Sequence, residues 1–352
     1  VKCPASSVIS TPSLHKQTTT ETLPSSDITS HHIMVPPLIT LEEHFVSVVG
    51  LGDNAAAKMF PEAVVARLQD LGEARLRDMD AGKTALQVIS HAPLDASPAD
   101  CRRANDQLAA ACAAHPTRFA GFATLPMGEP DAAAQELKRM VRDHGFLGAL
   151  IDNQLEDGQM YDASKFWPVF ETAEALDVPI YIHPTYPGSD LADHYKGNFP
   201  DTTAFMLGTF SWGWHAETGL HILRLFAAGL FDKFPKLKIV IGHMGEFLPY
   251  MFERFVKSSH LWGERERDLR TVWEENLWIT TSGHFALPPF ECLVKTFPRD
   301  KVLYSVDYPF SMPERGLQFV EEVEKAGILT AEELEGFCYR NAERLLKAKL
   351  SI

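Results

Sequence analysis

From Leu38 onward the chain alternates short apolar runs with longer amphipathic stretches. The runs are LITLEEHF (38–45), TALQVISHA (84–92), RFAGFATLP (118–126), LGALIDN (147–153), VPIYIHP (178–184), LKIVIGH (237–243), NLWITTSGH (276–284) and KVLYSVD (301–307). Each has the length and apolar content of a buried strand. Between them lie helix-like segments. In PDAAAQELKRMVRDHG, Leu137, Met140 and Val141 share one face and Gly145 stands where a helix would end; SKFWPVFETAEALDV is another such segment. Eight strand–helix alternations in about 310 residues predict an α/β chain folded as a (β/α)8 TIM barrel, which typically takes about 250 residues plus insertions.

Residues 1–36 are rich in Ser, Thr and Pro and show neither helical nor strand periodicity. Such a segment buries too little apolar surface to fold alone. It is expected to be a low-complexity arm, with residues 37–352 forming the catalytic barrel. Two long insertions follow strands, one after the first (46–70) and one after the fifth (185–220, with Trp212 and Trp214). Loops after barrel strands line the active face, so these would serve as substrate lid and pocket wall, or else as subunit interface.

Composition narrows the partners. The 352 residues carry 47 acidic against 33 basic side chains, a formal charge of -14. That balance disfavours nucleic acid and anionic membrane surfaces, because a phosphate polyanion needs a basic face. The five cysteines (Cys3, Cys101, Cys112, Cys292, Cys338) form no CxxC pair and are odd in number. Neither a zinc knuckle nor a disulfide framework is indicated, and a reducing, cytoplasmic location is expected. No apolar run approaches the roughly 20 residues that span a bilayer.

Glu42 and His44 lie two apart in the first run, so in a strand both side chains point the same way. A carboxylate and an imidazole on one face suggest a metal site. Later runs end on His91, Asp152, His183, His243, His284 and Asp307, where barrel enzymes keep their chemistry. A lone histidine there reads as a hydrogen-bonded structural residue. Several converging from different strands need a function, because an uncompensated buried polar group costs about 1–3 kcal/mol. Glu42, His44, His183 and Asp307 would offer two carboxylates and two imidazoles, which suits Zn2+ or Mn2+ and tolerates Mg2+. Binuclear barrel hydrolases commonly begin with two histidines on strand one and a bridging lysine on strand four. Here Glu42 replaces the first histidine and GALIDN has no lysine, so one metal ion and no organic cofactor are expected.

His243 opens HMGEFLPYMFERF. Glu246, three residues on, would face the imidazole across one helical turn and set its tautomer, as proton transfer requires; the alternative is a hydrogen bond from His243 to a loop carbonyl. Arg254 would neutralise an anionic substrate or make a surface salt bridge. Trp212, Trp214, Phe310 and Phe45 would wall a planar aromatic ligand, or serve as ordinary core or interface aromatics.

Taken together, LEEHF, IYIHPTYP, HAETGLHILRLFAAGLFDKFPKLKIVIGHMGEFLPYM, NLWITTSGHF and VLYSVDYPF resemble the amidohydrolase-superfamily decarboxylases of ortho-hydroxybenzoates. That group includes γ-resorcylate, 2,3-dihydroxybenzoate, salicylate and 6-methylsalicylate decarboxylases. The resemblance runs from about residue 38 to 348. It implies that Glu42, His44, His183 and Asp307 bind a single divalent metal and that His243 with Glu246 relays protons beside it. The expected substrate is a small aromatic carboxylic acid bound through its carboxylate and ortho hydroxyl, with His44, Phe310, Trp212, Arg254 and Asp152 as its contacts. The expected assembly is a homodimer or homotetramer. Asp152 departs from the asparagine of γ-resorcylate enzymes, and MPERG after Phe310 departs from their acidic continuation, so the ring substituents stay open.

The chemistry implied is non-oxidative, reversible decarboxylation. Direct loss of CO2 from an aryl carboxylate would leave a high-energy carbanion, so the ring carbon, made basic by the ortho hydroxyl, is protonated first. The metal would hold the carboxylate and phenolate oxygens. Asp307 would deliver the proton, with His243 and Glu246 setting its protonation. The rivals are a hydrolase in which a metal-bound water attacks an amide or lactone with His243 as base, and a non-catalytic oligomeric barrel.

Overall fold

The computed structural model describes residues 35–48 and 60–350. All eight apolar runs form strands: β1 (Leu38–Phe45), β2 (Thr84–His91), β3 (Phe119–Gly121), β4 (Ala149–Asp152), β5 (Ile180–His183), β6 (Ile239–Ile241), β7 (Leu277–Thr280) and β8 (Val302–Leu303). Each pairs in parallel with its neighbour in chain order, in a three-stranded sheet β1–β3 and a five-stranded sheet β4–β8. Both seams between the sheets are bonded. Ala123 donates to Gly148 O at 2.9 Å and accepts from Leu150 N at 3.0 Å, while Asp307 N donates to Glu42 O at 3.0 Å and His44 N to Tyr308 O at 2.7 Å. The architecture is the (β/α)8 barrel.

The strands are buried on both faces, as a parallel sheet inside a shell of helices requires. One apolar cluster draws on every strand or the residue beside it, among them Leu41, Val88, Phe122, Leu150, Tyr181, Val240, Trp278 and Leu303, with Leu345 and Leu346 of the last helix packed against it. Alternate strand residues such as Ile89, Ile151, Ile182, Ile241 and Ile279 join the helices in a second cluster. Helix Pro130–His144 buries Leu137 and Met140 and ends at Gly145, whose φ of 71° uses the left-handed conformation open to glycine.

Several strands stop short of the residues expected to close them. β6 ends two residues before His243 and β8 four before Asp307. The reason is local: His243, Met244, Gly245, Glu246 and Phe247 all have positive φ, as do Ser282, Gly283 and Asp307. The chain leaves the extended conformation to aim these side chains inward.

The insertion after β5 contains helices Ser189–Ala192 and Asp201–Gly208 and leads into helix Gly213–Ala227. The arm expected over residues 1–36, save Val35 and Pro36, and the core of the first insertion (49–59) lie outside the described residues. No helix among the described residues is long and apolar enough to cross a membrane.

Candidate metal centre

Glu42 and His44 are fully buried on β1. Oε2 of Glu42 accepts from the Tyr181 and Ser282 hydroxyls. Its other oxygen, Oε1, has no hydrogen-bond donor, and neither ring nitrogen of His44 has a partner. Around Oε1 stand His183 Nε2 at 3.2 Å, His243 Nε2 at 3.7 Å and His44 Nε2 at 3.9 Å. Asp307 Oδ1 lies 3.2 Å from His44 Nε2. One donor atom each from Glu42, His44, His183 and Asp307 falls within a mutual span of 4.8 Å. Buried donors left unpaired at this spacing fit a divalent cation, and nitrogen and oxygen without thiolate suit a hard or borderline ion.

The backbone around these four side chains is over-determined. A Cβ on Gly242 would sit 2.6 Å from Glu42 Oε2 and 2.9 Å from both the Ser282 and Tyr181 hydroxyl oxygens, so only glycine lets β6 pass the Glu42 carboxylate. Asp307 has φ 64°, a conformation costing a non-glycine residue on the order of 1 kcal/mol. Glu43, the buried residue between Glu42 and His44, holds it there. Its carboxylate accepts from Val306 N at 3.0 Å, Ser305 Oγ at 3.1 Å and Tyr308 N at 3.2 Å. Burial pushes the Glu43 carboxyl up to about 7 against these donors.

Burial would raise Glu42 as well, but the His243, His183 and His44 imidazoles outweigh it and hold the carboxyl well below the carboxylate range. Asp307 moves the other way: burial, aided by the Glu42 charge and opposed by His44, lifts it.

His243 and Glu246 meet as the sequence suggested, Nδ1 to Oε1 at 2.7 Å. The connection is a left-handed turn rather than a helical one, since the helix starts only at Leu248. The structure adds His215, whose Nδ1 lies 2.7 Å from the second Glu246 oxygen. Burial would raise Glu246, yet the two imidazoles draw it down to about 2. Despite its own burial, His243 is raised to about 10, chiefly by Glu246 and Glu42.

Asp307, His243, His215 and Ser282 face a cavity of about 810 Å3 walled by Phe210, Trp214, Phe247, Tyr250 and Phe310. The Phe310 ring centroid is 5.9 Å from that of His44. Of the two tryptophans in the insertion, Trp214 lines the cavity, 6.4 Å from the His183 ring. Trp212 is 55% exposed and packs on Phe247 at 4.9 Å. Arg254 is exposed and is not among the residues lining this cavity. Asp152, opposite His183 in the β4–β5 register, accepts from Leu94 N at 3.1 Å and borders a separate small cavity with His91 and Tyr161. Burial lifts its carboxyl to about 7. His91 is structural, its ring bonded to Ser47 and the Ala92 carbonyl; His284 lines the main cavity. Phe45 is core.

His215, Glu43, Tyr181 and Ser282 escaped the sequence reading. One signal for His215 was present: Gly219 stands one helical turn further on the same face, where a glycine marks close approach of another backbone.

Residues 44–348 match the sequence profile of the amidohydrolase family. The chain belongs to that family. Among its relatives, decarboxylase orsB of Emericella nidulans is 47% identical over 330 residues, covering 90% of this chain and 99% of the relative. A γ-resorcylate decarboxylase of Polaromonas sp. is 37% identical, covering 88% and 98%. A crystal structure of a Polaromonas sp. dihydroxybenzoic acid decarboxylase, with bound manganese and the inhibitor 2-nitroresorcinol, superposes with a TM-score of 0.79 at 34% identity over 89% of this chain and 97% of that one. In this amidohydrolase the short β6 and β8 strands leave His243, Glu246 and Asp307 to be presented from the loops that follow.

Proposed function

We propose that this amidohydrolase is a metal-dependent carboxy-lyase that converts an ortho-hydroxybenzoic acid to the phenol and CO2. The observation that carries the reading is the convergence of Glu42, His44, His183 and Asp307, with Glu42 Oε1 and both His44 ring nitrogens unpaired and Asp307 lining an aromatic-walled cavity. The named activities of the relatives support it. These four residues would hold one divalent ion, Mn2+ as in the Polaromonas structure or Zn2+, with Mg2+ also compatible. When bound, the ion supplies positive charge for the substrate's carboxylate and phenolate oxygens.

The chain's own residues do the rest. Phe310 and Trp214 bracket the ring, and the apolar wall excludes water. Asp307 gives its proton to the ring carbon bearing the carboxylate, which becomes tetrahedral. The carbon–carbon bond then breaks, its electron pair restores aromaticity, and CO2 departs. His243, oriented through Nδ1 by Glu246, returns a proton to Asp307. The same reading takes the protein to be cytoplasmic and to form a homodimer or homotetramer; the exposed aromatic surface of Phe205, Phe210, Trp212, Phe247 and Tyr250 supports the assembly.

The test incubates metal-analysed protein with salicylate, dihydroxybenzoates, 6-methylsalicylate and orsellinate, following CO2 and phenol, with the reverse reaction run in concentrated bicarbonate. Release of CO2 from at least one acid that stops on chelation is expected. Hydrolysis of a lactone or amide without any decarboxylation would sink the assignment.

A further inference from the structure

Helix Gly213–Ala227 begins at the cavity, and His215 lies in its first turn. Each of its ring nitrogens meets an acceptor: Nδ1 the Glu246 Oε2 at 2.7 Å, and Nε2 the carbonyl of Phe210 at 3.0 Å. Phe210 belongs to the wall, together with Ser211 and Trp214. Glu246 in turn uses its remaining oxygen for His243 Nδ1. The two imidazoles sit edge to face, centroids 4.7 Å apart, on either side of one carboxylate.

The helix is pressed onto this carboxylate's own backbone. A Cβ on Gly219 would come within 2.5 Å of the Glu246 carbonyl oxygen, so glycine is what allows the approach. Glu246 is thereby gripped through its side chain by His215 and against its main chain by Gly219, inside a run of positive-φ residues whose local backbone bonds are turn bonds, Gly245 N to Gly242 O at 2.7 Å and Leu248 N to Gly245 O at 2.9 Å. His215, Glu246 and His243 also form a compact nitrogen and oxygen group. Both carboxylate oxygens are already engaged by imidazole Nδ1 atoms, so the group works as a relay rather than as a second cation site.

We propose that His215 is a positioning residue that couples the aromatic wall to the proton relay, holding Glu246 so that its other oxygen orients His243, and holding the Phe210 segment in place through Nε2. The inference rests on the decarboxylase reading for its kinetic test but stands on the geometry of three residues. The two bonds lead to different places, so loss of the Glu246 bond should be felt in turnover and loss of the Phe210 bond in substrate binding.

Two conservative replacements separate the bonds. In His215→Asn the amide lies near the position of Nδ1 and can still reach Glu246; in His215→Gln it lies near that of Nε2 and can still reach Phe210. With metal content and thermal midpoint recorded for each, His215→Ala is expected to lose on the order of 10- to 100-fold in kcat. His215→Asn should keep kcat within a few-fold and raise KM, and His215→Gln should do the reverse. A second readout needs no turnover: the downfield Nδ1–H proton of His243 should persist in His215→Asn and move or vanish in His215→Gln and His215→Ala. If the Asn and Gln variants behave alike, or His215→Ala keeps full kcat, the proposal is overturned. If the wild-type holoenzyme decarboxylates nothing, the proposed function fails on its own account and the proton resonance still decides the role of His215.

Discussion

At the floor of the cavity Asp307 is fixed from several directions: its amide by Glu42, the amides on either side of it by Glu43, and its carboxylate beside His44. Along the wall, Phe210 meets the Trp214 ring and Phe247 meets that of the outlying Trp212, and Phe210 and Phe247 are 51% and 44% exposed. The floor is polar, buried and bonded to the barrel seam; the wall is apolar, half-open and tied to the floor through His215. Charge needs a fixed geometry, because a displacement of a few tenths of an ångström in a buried donor changes its interaction steeply. Ring recognition needs area and tolerates rearrangement. The division predicts that turnover is set by the floor and choice of substrate by the wall.

The sharpest way to break this division is at Asp307. Asp307→Asn, assayed with metal bound, should lower decarboxylation by about 100- to 10,000-fold, as expected for a missing general acid; near-full turnover with metal retained would remove Asp307 from the proton path. Next in size is the hydroxyl collar of Glu42. Tyr181→Phe should weaken metal binding by on the order of 10- to 100-fold in a chelator competition, since a ligand's outer partner is lost. Unchanged affinity would mean that Ser282 alone orients the carboxylate.

The smallest effect concerns how the wall helix is anchored. His221, buried on that helix, accepts from Tyr161 N at 3.1 Å through Nε2, which requires an unprotonated nitrogen. Burial draws it down to about 3. The unfolded chain therefore binds a proton near pH 6.5 that the folded chain refuses. The stability His221 contributes is complete above pH 6.5 and declines as pH falls toward 3, by up to about 1.4 kcal/mol per pH unit. Urea unfolding at pH 7 and pH 5 should show this loss, and His221→Gln, which keeps an acceptor, should flatten it. A flat wild-type profile would discard the anchor.

Much of this was legible because strands buried on both faces leave continuous apolar runs, and all eight were located. The pairing of Glu42 with His44, and of His243 with Glu246, followed from spacing of two and three. What the sequence hid was set by long-range closure. Glu43 sits between Glu42 and His44 and by strand alternation points away from them, so its bonds to Val306 and Tyr308 appear only when β1 meets the segment after β8. His215 reaches Glu246 from another element. Trp212 and Trp214 are two apart, and nothing in the insertion told which would face inward. Arg254 was offered as a substrate contact. It lies on the exposed side of a helix whose inward face carries Leu248 and Phe252.

Because the donor set draws on the first strand and on the segment after the last, it cannot assemble piecemeal. A chain emerging from synthesis carries Glu42, His44 and His183 early but lacks its fourth donor until Asp307 has been made and docked against β1. Ion capture should be a late event in the protein's life, coincident with sealing of the barrel. By linkage, whatever tightens that seam raises affinity for the ion, and the ion in turn should clasp the two ends of the barrel domain together.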